Sequence, residues 1–221
     1  MLFDLRSRGR RRTVQVVYLG LAILIGGGLV LFGVGTGSGN GGLLNAFGGG
    51  SSNQNAQFST AEKNALKQTK KDPSNPAAWA ALETARFQNA SSNSGFNSNT
   101  GTYTASGKKE LSNAVDAWQK YLALTKSPQN NLAIFAGTAY SALGQYANAA
   151  TAWELSTQAD SSGVKAFECL AMTAYAANQT RKGDLAAAKA ASLVPKASRK
   201  TIAQQITLAK TQPTVVQTAC G

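Results

Sequence analysis

The stretch Ala136-Gly137-Thr138-Ala139-Tyr140-Ser141-Ala142-Leu143-Gly144-Gln145-Tyr146-Ala147-Asn148-Ala149-Ala150-Thr151-Ala152-Trp153 decides how the chain is read. Small residues and aromatics recur at helical spacing on either side of Gly144, which marks a turn. Small side chains let two helices close on each other, and aromatics fill the space between them. The expectation is a helix, a tight turn at Gly144–Tyr146 and a second helix.

Working outward, the same texture runs from Ser59 to Thr211. Alanine is abundant, glycine is rare, and no β-branched alternation suggests strands. Ser59-Thr60-Ala61-Glu62 reads as a capping box opening a helix to about Lys71. Asp72-Pro73-Ser74-Asn75-Pro76 ends that helix and starts the next. A preceding copy of the helix pair uses Trp79 and Leu82, then Ala114 and Trp118, with an insertion at about 89–107. A following copy uses Ala171, Met172 and Tyr175, then Gly183-Asp184 in the turn and Ala188 after it. It is stopped near Pro195, and Ser198 to Lys210 reads as a closing helix.

With these residues in view, the chain resembles the tetratricopeptide repeat family. Numbered from Asn130, the family's small positions fall on Gly137 and Ala149 and its aromatic positions on Tyr140 and Trp153. The resemblance covers about residues 59–211. It implies an all-α fold: about three helix pairs stacked as an α-solenoid, plus the closing helix. Stacking covers the apolar face that each pair leaves open. A plain helical bundle with the same aromatic core is the competing reading.

The N-terminal quarter differs in composition. Fourteen of the 22 glycines lie in the first 50 residues, and residues 13–61 carry no charge. Val14 to Val34 is mostly apolar over 21 residues, and about 20 helical residues cross a bilayer core. Arg6, Arg8, Arg10, Arg11 and Arg12 precede it. The expectation is a basic cytoplasmic tail at 1–12 and a single transmembrane helix at 13–34. The remainder of the chain then lies outside the cytoplasm. A cleaved signal peptide is the alternative, although its apolar core is normally shorter. Residues 35–58, rich in Gly, Ser and Asn, read as a flexible tether with a span of roughly 27 Å.

Net charge is +12, with 22 Lys and Arg against 10 Asp and Glu. Beyond residue 12 the counts are 17 and 9, without the basic-aromatic clustering of a nucleic-acid footprint. The chain has no histidine and two cysteines. That excludes Ser-His-Asp and Cys-His catalysis and four-cysteine zinc sites. No acid pair or phosphate loop is present, so no enzyme activity, metal, cofactor or small-molecule substrate is expected. Asn89 and Asn178 stand in glycosylation-type triplets that also arise by chance in a Ser/Asn-rich chain.

Cys169 and Cys220 both lie beyond the expected membrane span, in an oxidising compartment, where a disulfide or two free thiols are possible. A bond would close a loop of about 52 residues, worth roughly 4 kcal/mol in the chain-entropy treatment. The tetratricopeptide resemblance implies a concave face that takes protein partners. It places Phe87, Asn131, Ile134, Thr138, Ser141 and Thr173 on that face. Numbering the third copy from Lys165 adds Cys169, so the tail 212–221 is expected to fold back across part of the groove. The expected function is a membrane-anchored scaffold for an envelope complex. The alternative is a chaperone-like handler of exported chains beside the bacterial Sec translocon, whose ancillary subunits the architecture resembles.

Overall fold

The computed structural model describes residues 51–92 and 94–221. The expected basic tail, membrane span and tether up to residue 50 lie outside them. Among the described residues no helix is long and apolar enough to cross a membrane.

The described chain is mostly helical. Helix α1 (Ser51–Lys71) leads into α2 (Pro76–Ala90) and α3 (Ala105–Leu124), then α4 (Asn130–Ala142) and α5 (Tyr146–Ala159). Helices α6 (Val164–Ala176), α7 (Thr180–Ser192) and α8 (Lys196–Thr211) follow, and a one-turn helix α9 (Val215–Ala219) ends the chain. Helix α2 packs on α3, α4 on α5, and α6 on α7, while α5 also packs on α6 and α7 on α8. The first helices of successive pairs touch as well, α2 with α4 and α6 with α8.

Two pairs are copies displaced by 34 residues. Helices α4 and α6 start at Asn130 and Val164, and α5 and α7 start at Tyr146 and Thr180. The turns between them match. Gly144 (φ 72°) and Asn178 (φ 60°) occupy the left-handed region. The next amide reaches back five residues, Gln145 to the Tyr140 carbonyl at 2.9 Å and Gln179 to the Ala174 carbonyl at 2.7 Å. This is a Schellman closure, which needs a residue tolerant of positive φ after the last helical turn.

Helix α2 starts where the Asn75 side chain accepts from the Ala77 amide, with Pro76 in the first turn. The core runs through the pairs. Leu111, Trp118, Leu132, Trp153 and Ile206 are buried within it, and Trp118 lies 5.7 Å from Tyr121. Burying such side chains stabilises by about 1.5–3 kcal/mol each. Helix α1 attaches through Ala65 and Leu66 against Leu82, Trp79 and Ala117. Glu62 and Arg86 form an ion pair at 3.1 Å, and Arg86 also donates to the Asn113 carbonyl at 2.8 Å.

Three expectations are corrected. Helix α1 begins at Ser51 rather than Ser59, so the last eight residues of the expected tether are helical. Nothing in Ser51–Phe58 breaks a helix, since glycine and proline are absent there. The insertion is a folded excursion containing a small antiparallel pairing, Phe96 with Tyr103 and Asn97 with Thr102. Asn97 Oδ1 accepts from the Asn99 and Thr100 amides, and Gly101 takes φ 65°. These local turn bonds need no alternating strand pattern. The third copy is also one residue earlier than expected, starting at Val164 rather than Lys165.

Candidate partner-binding face

The candidate face is built from the first helix of each pair, because these helices form one layer against which α9 packs. Helix α9 contacts α4, α6 and α8. The face therefore has two halves, one open and one covered by the chain's own tail.

The open half comes from α2 and α4. Asn131 is exposed, and Phe87, Ile134 and Thr138 are half-buried. Phe87 stacks on Phe135 with ring centroids 4.5 Å apart and planes 15° apart. This aromatic pair joins α2 to α4 and leaves part of each ring at the surface. The other expected residues of this half, Asn131, Ile134 and Thr138, carry no charge, so they offer shape and apolar contact rather than charge.

Two expected face residues belong to the core. Ser141 has no exposed surface. Its hydroxyl donates to the Gly137 carbonyl at 2.7 Å and accepts from Trp153 Nε1 at 3.3 Å. Thr173 is equally buried, and its hydroxyl donates to the Cys169 carbonyl at 2.6 Å. The one-residue shift explains Thr173. It matches Ala139, which is also fully buried, because each is the tenth residue of its helix. The residues matching Asn131 and Ile134 in the third pair are Lys165 and Glu168.

Cys169 and Cys220 are joined by a disulfide, with Cα atoms 5.6 Å apart. Both are buried, as is Val216 of α9. Lys165 Nζ donates to the Ala219 carbonyl at 2.8 Å, and Gln217 Nε2 reaches Tyr146 Oη at 3.5 Å. At Gly221 an added Cβ would lie 2.9 Å from Ala142 Cα, so the chain end fits closely against α4.

The sequence reading missed Glu83. It is a buried carboxyl on α2 whose two oxygens have no hydrogen-bond partner among the described residues. Burial pushes its pKa up to about 9, so it is neutral at pH 7. Only the fold reveals this, since a Glu on a helix is usually solvated. Nearby, Gln119 Nε2 donates to Tyr140 Oη at 3.1 Å. Burial raises the Tyr140 hydroxyl, the Gln119 bond opposes that, and Asp116 and Glu83 add to it.

Among the described residues no group of three or more His, Cys, Asp or Glu is placed to hold a metal ion. No protein-family model, curated protein or solved structure matches the chain.

Proposed function

We propose that this chain is a membrane-anchored, tetratricopeptide-like scaffold with no catalysis of its own. It holds one protein partner on the open half of its first-helix face, at Phe87, Asn131, Ile134 and Thr138. The observation that carries the reading is the 34-residue displacement between the α4–α5 and α6–α7 pairs, with matching left-handed turn residues. Thirty-four residues is the tetratricopeptide period, and such stacks present one layer of helices to extended or helical partner segments. The apolar stretch Val14–Val34 after five arginines supports the anchor, with the N-terminus cytoplasmic and the helical domain on the far side.

The tail favours a fixed scaffold over the handler of many exported chains. A handler needs a long continuous apolar surface, and here α9 covers the half over α4, α6 and α8. The neutral open half lacks the cationic clamp that grips a terminal carboxylate, so an internal partner segment is the expected ligand. Photo-crosslinking in native membranes from a probe at Asn131 tests this. One dominant product that disappears with Thr138→Arg supports the fixed scaffold. A ladder of exported proteins overturns it in favour of the handler.

A further inference from the structure

We propose that the C-terminal tail is a built-in ligand of the slot between α4 and α6, held there by the Cys169–Cys220 bond. Thiol–disulfide exchange at that bond then opens the slot to a small, neutral, C-terminal helical segment of a partner. This rests on the first-helix layer being a docking face, as argued above.

The helix-by-helix correspondence shows why a slot exists. Phe87 is the twelfth residue of α2 and Phe135 the sixth residue of α4, and their stacked rings fill the space between those helices. The same two positions at the next junction are Ser141 on α4 and Cys169 on α6. Both side chains are small, so the volume that two rings occupy at the first junction needs another occupant at the second. The tail supplies it. Cys220 bonds to Cys169, Gly221 lies against Ala142 at the end of α4, and α9 packs over both helices.

The tail's own hold is weak. Helix α9 has five residues and no side-chain cap, and Val216 is its one buried side chain. The residues that lead into it, Gln212, Pro213 and Thr214, are all exposed. A helix this short does not persist unaided. The disulfide pins the far end of the tail over the slot; once it is broken the tail is tethered only through Thr211 and exchanges on and off the slot, so a free segment can compete with it. In the exchange, the Cys169–Cys220 S–S bond breaks and gains two electrons and two protons from a dithiol reductant. The dithiol closes to its own disulfide through a mixed disulfide on Cys220. Both cysteines are buried, so the tail end must lift before the thiolate can attack, and exchange is slow without a specific reductant.

The test uses the full chain in detergent and a fluorescent peptide of residues 211–221 carrying Cys220→Ser. Oxidised protein is expected to leave the peptide free. Full-length Cys220→Ser should bind it, and a chain ending at Thr211 should bind at least ten-fold tighter, because no attached tail competes. Peptide binding by oxidised protein, or none by the folded truncated chain, overturns the proposal. Amide exchange on the wild-type chain gives a second readout that needs no variant. Protection over 215–220 should be lost on dithiol treatment while α4 and α6 stay protected, and a tail that stays protected after reduction also overturns it. Neither readout involves an outside partner. A failed crosslink from Asn131 would therefore sink the scaffold reading alone, and a failed peptide assay the tail device alone.

Discussion

The indole of Trp153 lies where the side chain of residue 137 would begin. A Cβ placed on Gly137 would be 2.7 Å from Trp153 Cε2. Helices α4 and α5 close on each other because the chain has no side chain at this crossing. Gly137→Ala therefore forces the indole or the helix to shift. Overpacking of this kind costs about 1–3 kcal/mol. Chemical denaturation should show a lower midpoint, and an unchanged midpoint would mean that the indole moves freely.

Ser141 accepts the Trp153 Nε1–H in the same crossing. Ser141→Ala leaves that buried donor without a partner, at a cost of about 1–3 kcal/mol. Because Ser141 is buried, partner crosslinking from Asn131 should be unchanged in this variant. Reduced crosslinking at full stability would return Ser141 to the binding face.

Glu83 gives the fold a pH dependence. Its ordinary pKa of 4.5 is raised to about 9, so between those values the folded chain keeps a proton that the unfolded chain releases. Stability should therefore fall as pH rises through this window, by up to about 1.4 kcal/mol per pH unit. The chain has no histidine, and the nearby Tyr140 hydroxyl is raised above its ordinary 10.0, outside the window. Glu83→Gln removes the ionisation. Its unfolding free energy should be nearly level from pH 5 to pH 8.5, where the wild-type value declines. Parallel profiles would show that Glu83 ionises freely.

Arg86 ties three helices, through Glu62 on α1 and the Asn113 carbonyl on α3. Arg86→Met keeps the stem and loses both bonds. The expected cost is about 1–3 kcal/mol. It should appear first as faster amide exchange in residues 58–71, since Ala65 and Leu66 are the main apolar contacts of α1. Uniform loss across the domain would instead place Arg86 in the global folding unit.

The alternation of small residues and aromatics from Ala136 to Trp153 made the helix pair and its turn legible. Gly144 could be read as a turn because glycine adopts positive φ without strain. Asn178 does the same work 34 residues later and left a fainter mark, since asparagine occurs in many contexts. Gly183, read as the turn of the third copy, instead lies within α7 against the Tyr175 ring, so that copy had a false landmark, and a one-residue slip turns a helix by about 100°. That slip moved Thr173 from the buried side of α6 to the expected face. Phe87, Asn131, Ile134 and Thr138 keep some exposed surface, whereas Ser141, which also precedes the slip, is turned inward to Trp153.

The sequence by itself determined the helical character of residues 59–211 apart from the insertion, the turns at Asp72–Pro76 and Gly144, and the stop before Pro195. Those follow from local propensity and spacing, which neighbouring residues settle among themselves. Only the tertiary structure decided that Ser141 meets Trp153 and that Glu83 is buried with neither oxygen bonded among the described residues. The sequence led to a tail folded back over the groove, and the structure fixed its place, with α9 against α4, α6 and α8 and Cys220 bonded to Cys169. Each of these depends on which distant residues share one space, and in a stack of helices that is set by contacts between pairs rather than along the chain.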